Sequence, residues 1–202
     1  MTFLLSGRKL FLPSQHIWVR AIKVPKALTT PSLYLPDFSW SVDVGITNRG
    51  LEDIGDVHNY EFREGNIVGL NKNDGYKILE SNRRRLLKSG RDIVLDIYWD
   101  AHLITAADEL YHTIWETVSE ITHITSPVDG FIEKYNTALL PKRKSGSMQI
   151  LPILDEGMTL FTLRTKYECI ESQMKNMCCE DQYREIIKRS KRGKFYEKEM
   201  PI

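Results

Sequence analysis

Acidic residues are missing from the first 36 positions, where Arg8, Lys9, Arg20, Lys23 and Lys26 are the only formal charges. Cysteine is scarce. Cys169 and the adjacent Cys178 and Cys179 form an odd set without framework spacing, which excludes a disulfide-stapled scaffold and points to a reducing compartment. They have no Cys or His partners at finger-like spacing, so no zinc site is expected. The histidines His16, His58, His102, His112 and His123 contain no H-x-x-x-H pair. No G-x-S-x-G, phosphate-binding loop or dinucleotide fingerprint occurs. No catalytic residue, metal or cofactor is therefore expected, and the chain does not read as an enzyme. No apolar run approaches the ~20 residues of a bilayer-crossing helix. The net charge is only +1, so any attraction to a polyanion must come from local clusters.

The chain has 202 residues, 42% of them hydrophobic and 27% charged, which is enough apolar material for one domain with extensions. The acid-free, basic start shares its bias with mitochondrial transit peptides, although Pro13, Pro25 and Pro31 interrupt any long amphipathic helix. Residues 1–14 read as a leader or N-terminal extension, 15–187 as the domain and 188–202 as a basic tail. The implied location is the mitochondrial matrix.

Alternation from Trp40 to Thr47 predicts a strand with Trp40, Val42, Val44 and Ile46 on one face. Thr47 or Asn48 then caps a short helix in which Leu51 and Ile54 face inward, and Gly55 ends it. Tyr76 to Lys88 carries Ile78, Leu79, Leu86 and Leu87 at near-helical spacing, and Ile93 to Trp99 is a strand-like apolar run. From Trp115 to Asn136, β-branched runs flank Ser126-Pro127-Val128-Asp129-Gly130, the punctuation of strand, tight turn, strand. Taken alone, that turn also fits an ordinary hairpin in an unrelated β domain.

This stretch resembles the carrier segment of the glycine-cleavage H proteins and, more distantly, the lipoyl and biotinyl carrier domains. Their signature reads approximately E-S-V-K-A-x-x-x-x-x-S-P-V-x-G-x-V-x-x-x-N. Glu116, Val118, Ser126, Pro127, Val128, Gly130 and Asn136 fall in register with it. Further blocks recur in the family's order. His16 to Arg20 is similar to the opening strand, Val44 to Val57 to a V-G-I-T-x-x-A-x-x-x-L-G-D-I segment, Asp155 to Leu163 to a later strand, and Cys179 to Tyr183 to a helix ending in D-E-x-A-Y. The lysine that bears lipoate in the family is replaced by Ser119, and no lysine lies between Ala101 and Lys134. A hydroxyl cannot form the lipoyl amide, so the resemblance implies a degenerate carrier without cofactor.

What the resemblance implies for the fold is a mainly β domain, a barrel-sandwich hybrid of two antiparallel sheets, with an insertion of about 40 residues near 64–105. Ser119 is expected at the tip of a protruding hairpin, and a C-terminal helix is expected from about Ser172 to Lys188. Inward positions are expected at Val42, Val44, Ile46, Ile54, Val57, Ile114, Val118, Ile121, Val128, Phe131, Leu160 and Phe161.

Three basic clusters remain: Arg83, Arg84 and Arg85; Lys142, Arg143 and Lys144; and Lys188, Arg189, Lys191, Arg192 and Lys194. Such clusters attract phosphate backbones, yet they also occur as solvated loops, helix ends and protein contacts. Three functions fit. The first is a non-catalytic structural subunit of a large mitochondrial assembly, a ribosome or its assembly intermediate, touching protein subunits and rRNA; a respiratory or metabolic complex is the alternative assembly. The second is a glycine-cleavage-related carrier or regulator. The third resembles the H-like proteins linked to actin and nuclear regulation, a protein-binding module.

Overall fold

The computed structural model describes residues 7–24, 38–63, 86–106, 113–139 and 153–197, with side chains described throughout except at 102–106, 113–116 and 191–197. Its strands are β1 (Lys9–Leu12), β2 (Ile17–Lys23), β3 (Trp40–Ile46), β4 (Asp56–Phe62), β5 (Ile93–Ala106), β6 (Thr113–Thr125), β7 (Phe131–Tyr135) and β8 (Thr159–Thr165). The helices are α1 (Asn48–Glu52), α2 (Tyr167–Gln173) and α3 (Glu180–Glu197). One antiparallel sheet has the order β1-β2-β3-β8-β7 and the other β4-β5-β6.

Period-two patterning makes the core. Trp40, Val42, Val44 and Ile46 are buried on β3, and Leu160, Phe161 and Leu163 on the neighbouring β8. Leu95, Ile97 and Ile124 face them from the second sheet and share one cluster with Ile17, Val19 and Tyr60. The register of β3 against β8 shifts at Val44/Gly45, and there an added Cβ on Gly45 would overlap the Trp18 ring. Trp18 needs that gap, because it packs with Phe11 and Tyr183 and donates its indole N–H to the Glu156 carbonyl at 2.7 Å.

Several expectations need correction. The stretch 115–136 is not one hairpin: β6 belongs to the second sheet and β7 to the first, and S-P-V-D-G carries the chain between them. Ser119 sits in the middle of β6, opposite Asp100 of β5, because β6 pairs along its whole length with β5 and leaves no turn at 119. The region expected as an insertion thus supplies the middle strand of a sheet. Val118 and Ile121, expected inside, are 37% and 44% exposed on β6, which has one strand neighbour among the described residues. Phe131 is half-buried against Phe38 instead of in the core, and Ile132 takes the inward position. The side chain of Ile114 lies outside the described residues. Residues 9–12, within the expected extension, form an edge strand on β2. The expected helix over 76–88 lies mostly outside the described residues; its last part is extended, with Leu87 bridging to Gly130. The C-terminal helix breaks at Met177–Cys179, where Cys178 pairs with Phe11, then resumes as α3 and runs to Glu197.

The crossover explains why S-P-V-D-G is so well defined. Ser126 and Val128 are fully buried, and the Ser126 hydroxyl donates to the Val128 carbonyl at 2.6 Å. An added Cβ on Gly130 would lie 2.6 Å from the Arg164 carbonyl, so the position is closed to side chains. Ser89 closes the turn from the other side, its N–H donating to Asp129 at 2.7 Å and its hydroxyl to the Pro127 carbonyl at 2.8 Å. Burial opposes charge on Asp129, but the Ser89 N–H, Gln173 and Lys88 outweigh it and hold the carboxyl below its ordinary range.

Candidate functional site

Two surfaces stand out from this frame: the outer face of the three-stranded sheet, and the C-terminal helix. On β5, Asp96, Tyr98 and Asp100 alternate with the inward Leu95, Ile97 and Trp99, so their side chains share the outer face. Asp96 is fully buried despite its charge, because Arg63 and His123 cover it from either side. Arg63 Nε donates to one carboxylate oxygen, and His123 donates through Nδ1 to the other at 2.6 Å. The bond to Asp96 pushes the Arg63 pKa up further, so that guanidinium is held firmly charged. Tyr98 donates to Glu61 at 2.8 Å, and this bond, with burial, pushes the phenol pKa up. One row further, Ser119 donates to Asp100 at 2.8 Å, and His58 Nε2 lies 3.5 Å from the same oxygen.

The order within that last row matters chemically. A serine nucleophile requires a base on its own hydroxyl, oriented in turn by an acid. Here the carboxylate holds the serine and the histidine stands behind the carboxylate, so the row does not match that relay. What the face offers is an array of cross-strand hydrogen bonds in which the side chains of His58 and His123 are about half exposed.

The helix surface is built differently. Tyr183 stacks on Phe11 at 4.9 Å between ring centroids, and its hydroxyl lies 2.8 Å from Thr47 Oγ1 and 2.9 Å from His16 Nδ1. Thr47 donates its single hydroxyl proton to the His16 carbonyl at 2.8 Å and accepts from Gly50 N–H at 3.1 Å as the cap of α1. Every group is satisfied when His16 donates from Nδ1 to Tyr183 and Tyr183 donates to Thr47. His16 itself is held at φ 51°. Burial lowers its pKa first, with Arg49 acting in the same direction and Asp53 opposing.

Beyond this anchor Ile187 is the last of the described α3 side chains packed on the Phe11–Trp18–Tyr183 cluster. Arg184 pairs with Glu180 at 2.5 Å and Lys188 with Glu185 at 2.8 Å, both within the helix and well exposed. Two open depressions flank α3. One of about 380 Å³ lies against α1, with Arg49, Glu52, Glu156, Arg184 and Lys188 among its lining. The other, of about 640 Å³, is lined by Met177, Cys178, Ile186 and Arg189 among others. Burial pushes the Cys178 thiol pKa up, which favours the unreactive protonated form.

Of the basic residues singled out in the sequence, Lys188 and Arg189 lie on α3, and Lys191, Arg192 and Lys194 follow on the same helix with side chains outside the description. Arg83, Arg84, Arg85, Lys142, Arg143 and Lys144 lie outside the described residues. Sequence reasoning missed Asp96, Arg63, Tyr183 and the pairing of His123. The recurrence of Asp96, Tyr98 and Asp100 at period two in an otherwise apolar run was the available signal. No helix among the described residues is long and apolar enough to cross a membrane, and no group of acidic, His or Cys side chains there could hold a metal. No protein-family model matches the chain, and no curated protein matches it in sequence.

Proposed function

We propose that this protein is a non-catalytic structural subunit of a large mitochondrial assembly, a ribosome or its assembly intermediate, that uses a degenerate H-protein-like scaffold. The observation that carries this reading is the C-terminal helix. It is anchored by Tyr183 and Ile187, and the helix continues through the positions of Lys188, Arg189, Lys191, Arg192 and Lys194. From Ile187 the helix runs on to Glu197, about 15 Å at ~1.5 Å per residue. Lys188 and Arg189 are exposed and open to phosphate, because exposed pairs within a helix such as Lys188–Glu185 hold by only about 0.5 kcal/mol and exchange readily. The acid-free N-terminal 36 residues support the mitochondrial matrix as location.

The H-protein-like part of the proposal rests on the order of the motif blocks and on two antiparallel sheets with a C-terminal helix. It does not rest on a hairpin tip, since Ser119 lies mid-strand. With a hydroxyl at that position, the domain serves through what it touches. The test is gradient sedimentation of a mitochondrial lysate containing the full-length tagged protein, with RNase-treated controls, and intact-mass measurement of the purified chain. Co-migration with ribosomal particles that RNase abolishes, and no lipoyl mass increment, are expected. Migration with a respiratory or metabolic complex would overturn the ribosomal assignment, and a lipoylated or extramitochondrial protein would overturn the proposal entirely.

A further inference from the structure

The strand β6 has a second edge that no strand among the described residues covers. It is 13 residues long, so at ~3.4 Å per residue it presents a seam of about 44 Å. Long edges with free backbone donors and acceptors are templates for another strand, and folded proteins ordinarily shorten, charge or cover them. Among the described residues Gln15 reaches this one, accepting from Thr125 N–H at 3.1 Å. That bond fixes the direction of the edge: Thr125 N–H points away from β5, so by alternation the N–H and C=O groups of His123, Ile121, Ser119 and Thr117 point outward too. Two exposed apolar side chains, Val118 and Ile121, accompany them.

The sequence of β6, T-I-W-E-T-V-S-E-I-T-H-I-T, is complementary to its own reverse about Ser119. In an antiparallel pair centred there, Thr113 stands opposite Thr125 of the second copy, Ile114 opposite Ile124, Trp115 opposite His123 and Thr117 opposite Ile121. These are the β-branched and aromatic pairings that stabilise sheets. Charge selects the register. With the two-fold axis at Ser119, Glu116 faces Thr122 and Glu120 faces Val118. Moving the axis to Glu120 sets Glu120 against itself, and moving it to Val118 sets Glu116 against Glu120 twice; like charges directly opposite each other are destabilising. Axes at Thr117 or Ile121 avoid this but shorten the overlap from 13 residues to about nine. We propose that β6 pairs with β6 of a second copy of this chain about a two-fold axis at Ser119, giving one continuous six-stranded sheet of order β4-β5-β6-β6-β5-β4.

This inference rests on the free edge and its charge pattern, independently of the assembly the protein serves. The centre of the seam is testable by cross-linking. Opposed residues of an antiparallel pair have Cα atoms ~5.5 Å apart when hydrogen-bonded, inside the disulfide range of about 4.4–6.8 Å. In full-length protein whose three native cysteines are changed to serine, Ser119→Cys is expected to give a disulfide-linked dimer under mild oxidation, several-fold more than Glu120→Cys or Ile121→Cys. Light scattering of the unmodified chain should give twice 23.5 kDa. Ser119→Pro removes an outward N–H and leaves the β5 ladder intact, so it should give a monomer with unchanged far-UV circular dichroism. A monomeric wild-type chain overturns the proposal, as does cross-linking that favours position 120 or 121 over 119.

Discussion

At the scale of single residues, Gly45 and His16 carry consequences out of proportion to their size. Gly45 leaves the space that the Trp18 ring occupies, so Gly45→Ala forces either the indole or the β3 backbone to move. Overpacking of this kind costs about 1–3 kcal/mol, expected as a lowered denaturant midpoint in chemical unfolding with the slope unchanged. His16 predicts a pH dependence. Its folded pKa lies below the ordinary 6.5, with burial as the main cause, so the neutral ring is the one the folded state prefers. Its contribution is fully present above pH ~6.5 and is lost as pH falls through the depressed value. Thermal melts from pH 7.5 to 5 should therefore show a loss of stability that His16→Asn reduces, since Asn tolerates the positive φ and does not titrate. An identical pH profile for the two proteins would remove His16 from the account. Tyr183→Phe deletes one member of the same ring of bonds and should cost about 1 kcal/mol while leaving the Phe11 stack in place.

At the scale of elements, the crossover Ser126–Gly130 determines how the two sheets meet. Asp129 ties it to Ser89 and Lys88, and its own N–H donates to Gln173 at 2.7 Å beside the end of α2. Asp129→Ala leaves the Ser89 N–H without its acceptor, at a cost of about 1–3 kcal/mol. Because the Asp129 pKa is depressed in the folded chain, that contribution is present above its unfolded value and fades as pH falls through the folded one. The difference in unfolding free energy between wild type and Asp129→Ala, measured at pH 7 and again near pH 3, should shrink accordingly. These elements were unevenly legible. Trp40–Ile46, the Thr47 cap and the S-P-V-D-G turn are local, and β-branched alternation, a capping hydroxyl and a Pro-Gly turn reveal them directly. The break at Met177–Cys179 is not local: it exists because Cys178 exchanges backbone bonds with Phe11, 167 residues away.

At the scale of the whole molecule, α3 continues past Ile187 to Glu197, and the proposed contact with rRNA is tested at its basic positions. Neutralising Lys188, Arg189, Lys191, Arg192 and Lys194 together should leave the melting temperature within experimental error and lower affinity for rRNA. The plot of log affinity against log salt concentration should flatten by ~1 for each phosphate contact removed. A slope unchanged by the substitutions would assign the helix to a protein contact instead. The alternating strands, the cap of α1 and the tight turn are properties of the sequence by itself, since each depends on residues within a few positions of one another. Tertiary structure alone decided that β6 pairs with β5 over its length, that β6 and β7 enter different sheets, and that Arg63 and His123 meet over a buried Asp96. Those outcomes depend on which distant strands close together and in what register. Period-two patterning offers several strands as equally good partners, and only burial of the shared core chooses among them.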